Sequence, residues 1–308
     1  MNRFIRLRLL AMLLCLPFLL IFISGCGSSS QKKDEPPVYS PLQVLVPEAT
    51  GKETLGSSPM ILDVSNISQG YFIAQSDSSD PTCSLQIISP SGVLYSYFIA
   101  PGESATVTFT EGSGDYTITG YQQVQGDQYA ALYSETVTVQ LENDFLPFLY
   151  PNQYVNFTPD SKASQLALSM IDEDTVDVDA LQQIYDYVVS NLTYDYEKAD
   201  TVTTGYLPDV DETLKTGTGI CFDYAALTTA MLRSCDIPCK LQIGYAGDIK
   251  HAWIDVYIRS KGWVNQAISF KGDTWTLMDP TFDSNSDDKE AIQDYIGDES
   301  NYTVQFTR

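Results

Sequence analysis

The hydrophobic pattern of this chain changes period near Asn152, and that change constrains the fold more than any other feature. Before it, short apolar runs alternate with turn clusters. The runs are Met60–Val64, Gly70–Ala74, Ser84–Ser89, Val93–Ala100, Ala105–Phe109, Tyr116–Tyr121 and Thr136–Leu141. Clusters such as Ser89-Pro90-Ser91-Gly92 and Glu111-Gly112-Ser113-Gly114-Asp115 separate them. Short strands at a spacing of roughly 8–12 residues favour a β-sandwich over 41–150. Val93–Ala100 is so densely apolar that a strand buried on both faces is expected there.

After Asn152 the period becomes helical. Leu181, Ile184, Tyr185, Val188, Val189 and Leu192 fall at i, i+3, i+4, i+7, i+8 and i+11, one buried stripe of a helix. Asp177 or Asp179 stands where a cap for that helix is needed. A second helical stretch runs from about Cys221 to Cys235, followed by strand candidates Lys240–Tyr245, Ala252–Ile258 and Trp275–Met278. The expected fold class is α+β: an all-β sandwich of immunoglobulin-like shape, then a helix-and-sheet domain over 151–308. The β-part carries no ligand motif and reads as a spacer or adhesive module. The tail from Asp283 is acidic and reads as a solvated surface.

Charge removes several functions. The chain has 308 residues, with 17 Lys+Arg against 40 Asp+Glu and a formal net charge of −23. Three of the basic residues, Arg3, Arg6 and Arg8, sit in an N-terminal segment without acids, so the remainder is more acidic still. Such a surface repels phosphate backbones and anionic lipid, which excludes nucleic-acid binding and polybasic membrane docking. There is one histidine, His251, so any role that needs an imidazole uses that residue.

The first 25 residues read as an address. The three arginines precede an apolar run, Leu9–Ile23, short for a membrane span and right for a signal-peptide core. The run ends in Ile23-Ser24-Gly25-Cys26, which resembles the lipobox of bacterial lipoproteins. By that resemblance Cys26 becomes the first mature residue and is acylated, which holds the protein at the extracytoplasmic face of the cell membrane. Residues 26–40 are polar, contain the Pro36-Pro37 pair and read as a flexible tether. Of the remaining cysteines, Cys235 and Cys239 either pair or stay as buried thiols.

The chemistry concentrates between Gly217 and Asp283. Three words stand out: Gly219-Ile220-Cys221-Phe222-Asp223-Tyr224-Ala225, His251-Ala252-Trp253 and Asp279-Pro280-Thr281-Phe282-Asp283. Gly217 and Gly219 allow a sharp bend before the helical pattern that starts at Cys221. A thiol there meets the positive end of the helix macrodipole and unpaired N–H groups, which favour thiolate. The same N–H groups can donate to an oxyanion formed at an attacked carbonyl. An imidazole can take the thiol proton and return it to a leaving amine, and a carboxylate can orient that imidazole. His251 begins one strand pattern and Asp279 ends another, so adjacent antiparallel strands can set them side by side. Asp223 and Tyr224 are read as structural.

These three words, in this order, resemble the transglutaminase-like superfamily over roughly residues 160–285. The resemblance implies a papain-like α+β domain with its cysteine at a helix start, packed on an antiparallel sheet. It implies Cys221 as nucleophile, His251 as general acid/base and Asp279 as the orienting carboxylate. Two departures accompany it. About 20 residues separate Ile258 from Asp279, which leaves room for an extra hairpin. No side chain is evident as an oxyanion donor, with Tyr194 and Tyr196 as the candidates.

The function expected is a membrane-tethered cysteine acyl-transfer enzyme, a protease or amidase rather than a cross-linking transamidase. Its substrate is a protein, peptide or cell-wall peptide. No cofactor and no metal is expected. Asp283, Asn285, Asp287 and Asp294 space like a calcium loop, but Asp288 stands where that loop needs glycine, so an acidic surface is the simpler reading. The rival is a non-catalytic binding, scaffold or adhesin lipoprotein with the same fold.

Overall fold

The computed structural model describes residues 35–77, 82–265, 268–271, 274–277 and 302–308. The expectations for Cys26, Asp279 and the Asp283–Asp294 spacing lie outside these residues. The described residues belong to one compact unit, and among them no helix is long and apolar enough to cross a membrane.

Eight strands follow from the alternating half of the sequence: β1 (Thr54–Ser57), β2 (Met60–Asp63), β3 (Tyr71–Ser76), β4 (Cys83–Ile88), β5 (Leu94–Ile99), β6 (Ser104–Thr108), β7 (Gly114–Gln125) and β8 (Gln128–Val139). They form two antiparallel sheets, β1-β2-β3-β6 and β5-β4-β7-β8. Alternate side chains from both sheets meet in one core, with Met60, Leu62, Phe72 and Val107 from the first and Leu85, Tyr97, Ile118 and Val137 from the second. The expectation for Val93–Ala100 is corrected here. Within β5 Tyr95, Tyr97 and Ile99 are buried, whereas Leu94 and Phe98 are about half exposed, at 48% and 49%. The sheet packs on the core through one face only, so the alternate side chains of β5 meet solvent despite its apolar composition.

The second half contains α1 (Lys162–Met170), α2 (Asp177–Asn191), β9 (Thr193–Tyr194), α3 (Tyr196–Thr201), α4 (Val210–Thr216), β10 (Thr218–Gly219), α5 (Cys221–Ser234), β11 (Cys239–Ala246), β12 (Ile249–Ile258), β13 (Gly262–Val264), β14 (Ile268–Lys271), β15 (Thr274–Leu277) and β16 (Tyr302–Thr307). One antiparallel sheet has the order β13-β12-β11-β16, and β14-β15 is a separate hairpin. β13 and this hairpin occupy the long interval after Ile258.

α5 is buried from Asp223 to Ser234, so it is a central helix rather than an amphipathic surface one. α1, α2 and α4 pack on it from one side and β11 and β12 from the other. The stripe read from Leu181 to Leu192 joins the same core. Neither aspartate caps α2 by its side chain; Val176 is the capping residue. The Asp177 carboxylate instead accepts from the Arg259 N–H (2.9 Å) and pairs with its guanidinium, which ties the start of α2 to the chain after β12.

The two cores meet along a mixed seam. Phe145 and Phe148 pack on Trp263, and Phe145 also meets Tyr257 at 4.4 Å between ring centroids. Arg233, fully buried on α5, donates to the carbonyls of Tyr150 (2.7 Å) and Cys239 (3.0 and 2.8 Å) and to the Arg308 main-chain oxygen (2.9 Å). Burial lowers its pKa to about 10, so it stays charged at neutral pH and is held by carbonyl dipoles.

Candidate active site

The turn before Cys221 is held from two sides. α4 starts at Asp209, whose carboxylate accepts from the N–H groups of Asp211 and Glu212, and ends at Gly217 in the left-handed region (φ 64°). That backbone suits glycine and turns the chain into β10. β10 lies parallel to β9. The N–H groups of Thr193 and Asp195 donate to the carbonyls of Gly217 and Gly219, each at 2.9 Å. Asp195 then caps α3 by accepting from the Lys198 N–H at 2.8 Å. The cysteine turn and the helix that carries Lys198 are therefore fastened to one another.

Asp223 closes this arrangement. Its side chain is fully buried, two residues past the cysteine. One carboxylate oxygen accepts from the Ile220 N–H (2.8 Å) and from the Lys198 ammonium (2.7 Å). The other accepts from the Tyr206 hydroxyl at 2.5 Å, and that hydroxyl accepts from Lys198 at 2.7 Å. Burial and the bond to Asp223 push the Tyr206 phenol up to about 12. Burial works against the Lys198 charge, yet its bonds to Asp223 and Tyr206 outweigh that and raise its pKa. Lys198 and Tyr206 therefore both keep their protons through the physiological range. Gly219 makes room for it, since a Cβ there would stand 2.6 Å from the Asp223 Cβ.

Cys221 is the first residue of α5 and is half-buried at the edge of the helical core. All four described cysteines are free thiols, which settles the alternative left open for Cys235 and Cys239. Burial pushes both of those thiols up to about 12 and also raises that of Cys83. Cys221 is the one described thiol that is not buried.

His251 lies at the leading end of β12, paired with Gly244 on β11, and is buried. After α5 the chain turns back within residues 235–238 and β11 runs along the helix. A helix of 14 residues and a strand of eight span similar lengths, about 21 and 27 Å. The start of α5 and the β11–β12 turn therefore fall at the same end of the domain, with Cys221 and His251 both there. The row of β12 that packs on α5 is Ala252, Ile254, Val256 and Ile258. His251 belongs to the alternate row, where its ring stacks with Trp253 at 6.3 Å and 19°. Asp255 in that row accepts from the Gln242 amide at 2.6 Å. Tyr194 packs against the core beside the cysteine turn, and Tyr196 is exposed with its ring 5.0 Å from that of Tyr194. Among the described residues no cluster of His, Cys, Asp and Glu is arranged to hold a metal ion.

The fold and this site define a helix-on-sheet domain with a half-exposed cysteine at the start of its central helix. Residues 164–268 match the model of the transglutaminase-like superfamily, and the chain carries a transglutaminase-like domain there. No curated protein matches the chain in sequence. Solved structures resemble it distantly. A candidate cysteine protease from Cytophaga hutchinsonii is 17% identical, with 83% of this chain and 84% of that one covered and a TM-score of 0.38. A protein described as a TGase is 16% identical, with 56% and 45% covered and a TM-score of 0.29. The periplasmic domain of TgpA from Pseudomonas aeruginosa is 14% identical, with 77% and 76% covered and a TM-score of 0.32. These scores are low, and the assignment of the domain rests on the family match.

Proposed function

We propose that this protein is a cysteine acyl-transfer enzyme, tethered through acylated Cys26 at the extracytoplasmic face of a cell membrane. The observation that carries the reading is the position of Cys221: the one unburied described thiol, at the first residue of a central helix, at the same end of the domain as the only imidazole.

The chemistry follows from that position. His251 takes the proton of the Cys221 thiol, and the sulfur attacks a peptide or carboxamide carbonyl. A C–S bond forms, and the carbonyl oxygen becomes an oxyanion beside the first-turn N–H groups of α5. Collapse breaks the C–N bond, and the leaving amine takes the proton from His251. Water, deprotonated by His251, attacks the thioester; the C–S bond breaks, the carboxylic acid leaves as product, and His251 returns the proton to the Cys221 sulfur. Asp279 orients the imidazole. An amine in place of water would give cross-linking, but water is abundant, and hydrolysis is the favoured outcome. The substrate is a protein, peptide or cell-wall peptide at the envelope. Neither a metal nor an organic cofactor is needed for these steps.

One observation favours a second reading, a non-catalytic binding or scaffold lipoprotein: His251 stands in the β12 row that alternates away from α5, stacked on Trp253. A thiol-reactive amide probe separates the two. The enzyme predicts labelling of Cys221 that falls at least about tenfold in His251→Ala, since general-base activation contributes 10²–10⁴-fold in comparable systems. Equal labelling of both proteins would sink the enzyme in favour of the scaffold.

A further inference from the structure

We propose that Asp223, held by Lys198 and Tyr206, is a positioning residue for Cys221, acting through its bond to the Ile220 N–H. The inference rests on the reading of Cys221 as nucleophile and adds to it a device that sets the geometry of the nucleophile's turn.

The argument begins with the open end of α5. The first N–H groups of a helix have no carbonyl one turn earlier to bond. The Ile220 N–H, just before the helix, is taken by the Asp223 carboxylate at 2.8 Å. That bond, with the Asp195 N–H on the Gly219 carbonyl (2.9 Å), holds both ends of the peptide between Gly219 and Ile220, directly before the nucleophile, and the N–H groups of Cys221 and Phe222 follow as the first two of the helix. A carboxylate alone in this position would be buried and negative beside the nucleophile. Lys198 cancels its charge, and Tyr206 satisfies its second oxygen. The titratable groups around the turn include Lys198 from α3 and its cap Asp195, Tyr206 from the segment before α4, Tyr194 from β9, Asp223 and Cys221 itself.

The partners reach the turn from 25 and 17 residues upstream, so the anchoring of the nucleophile belongs to the α3 region and not to α5 alone. Gly219 shows the same requirement from the other side, since a side chain there would displace Asp223. Fully buried acids are rare unless paired, and this one spends all of its pairing on the residue next to the cysteine and on two side chains that hold it there.

The test measures alkylation of Cys221 by iodoacetamide at pH 7.5 on the full chain, with Cys221→Ser as the blank for other thiols. Asp223→Ala is expected to slow the reaction about tenfold, the size of one charge-assisted hydrogen bond lost from the reactive geometry. Asp223→Asn is expected to recover the wild-type rate to within about threefold. Its amide oxygen can accept from Ile220 and Lys198, and its NH₂ can donate to the Tyr206 oxygen. Tyr206→Phe and Lys198→Met, both at partly exposed positions, are expected to slow the reaction about threefold or more, and they decide the matter if Asp223→Ala does not fold. Equal slowing by Asn and Ala, or wild-type rates in Tyr206→Phe and Lys198→Met, would overturn the inference. His251→Ala in the same assay reads the nucleophile itself. A wild-type rate that depends on His251 together with unaffected Asp223 variants removes the positioning role alone; a wild-type rate no faster than that of the unfolded chain removes both.

Discussion

At the scale of single residues, the cysteine turn is a set of short contacts with little slack. Gly219 sits where a methyl group would collide with the Asp223 Cβ at 2.6 Å. Gly219→Ala is therefore expected to lower stability by about 1–3 kcal/mol, as overpacked buried positions do, seen as a lower denaturant midpoint at unchanged slope. An unchanged midpoint would mean that the turn yields freely. The words around Cys221 and His251 were legible because each is local: glycines before a helix pattern, an imidazole at the head of a strand pattern. Asp223 was legible as structural but not as a clamp, because Lys198 and Tyr206 reach it from separate segments. A signal was present in hindsight: an acid at the third position of a helix, where it can reach back to the N–H before the helix. The residue just before Cys221 is Ile220, which has no capping oxygen, so half of the usual capping box is missing and the pattern is easy to overlook.

Among the elements, β16 carries the clearest lesson. It lies in the stretch after Asp283 that reads as an acidic surface, yet it pairs with β11 from Gln242 to Ala246 and closes the sheet that holds His251. Its period-2 alternation, Tyr302, Val304 and Phe306, was there to be read. The acidic run before it, from Asp283 to Glu299, drew the whole tail into one class. Phe306 leaves the sheet plane to pack on the β-sandwich core, with its ring 5.7 Å from that of Tyr95. Phe306→Ala is expected to cost about 2 kcal/mol, below the range for fully buried phenylalanine because this side chain is partly exposed. Amide exchange along β11 should quicken with it, and unchanged exchange there would show β16 to be an ornament of the sheet. Strand β5 teaches the converse. Its composition promised burial on both faces, but its sheet buries one face only, and Leu94 and Phe98 lie on the other.

Across the whole molecule, the end of the stretch read as a tether is not free but docks on the turn between α5 and β11. The Tyr39 N–H donates to the Asp236 carboxylate at 3.1 Å, and Asp236 itself adopts a left-handed backbone (φ 59°). Burial pushes this carboxyl up to about 7, against the opposing hydrogen bond from Tyr39. Between the ordinary aspartate value near 4 and that raised value, the folded chain holds a proton that the unfolded chain has lost. The stability from this group is thus complete below about pH 4 and is lost as pH rises through about 7. Asp236→Asn, which tolerates the same backbone, is expected to melt higher than wild type at pH 8, with the gap closing towards pH 5 in a series of thermal melts. A gap independent of pH would refute the assignment. By itself the sequence determined the change from strand to helix period, the helix that starts at Cys221, the head of the strand at His251 and the family these words resemble, because period, turns and motifs are written over a few neighbouring residues. Tertiary structure decided which row of β12 carries His251, which distant side chains hold Asp223, what β16 pairs with and where Asp236 is buried. Those outcomes depend on chain closures of 17 to 197 residues, and such closures are selected by burial and by the need to pair every buried polar group rather than by any local pattern.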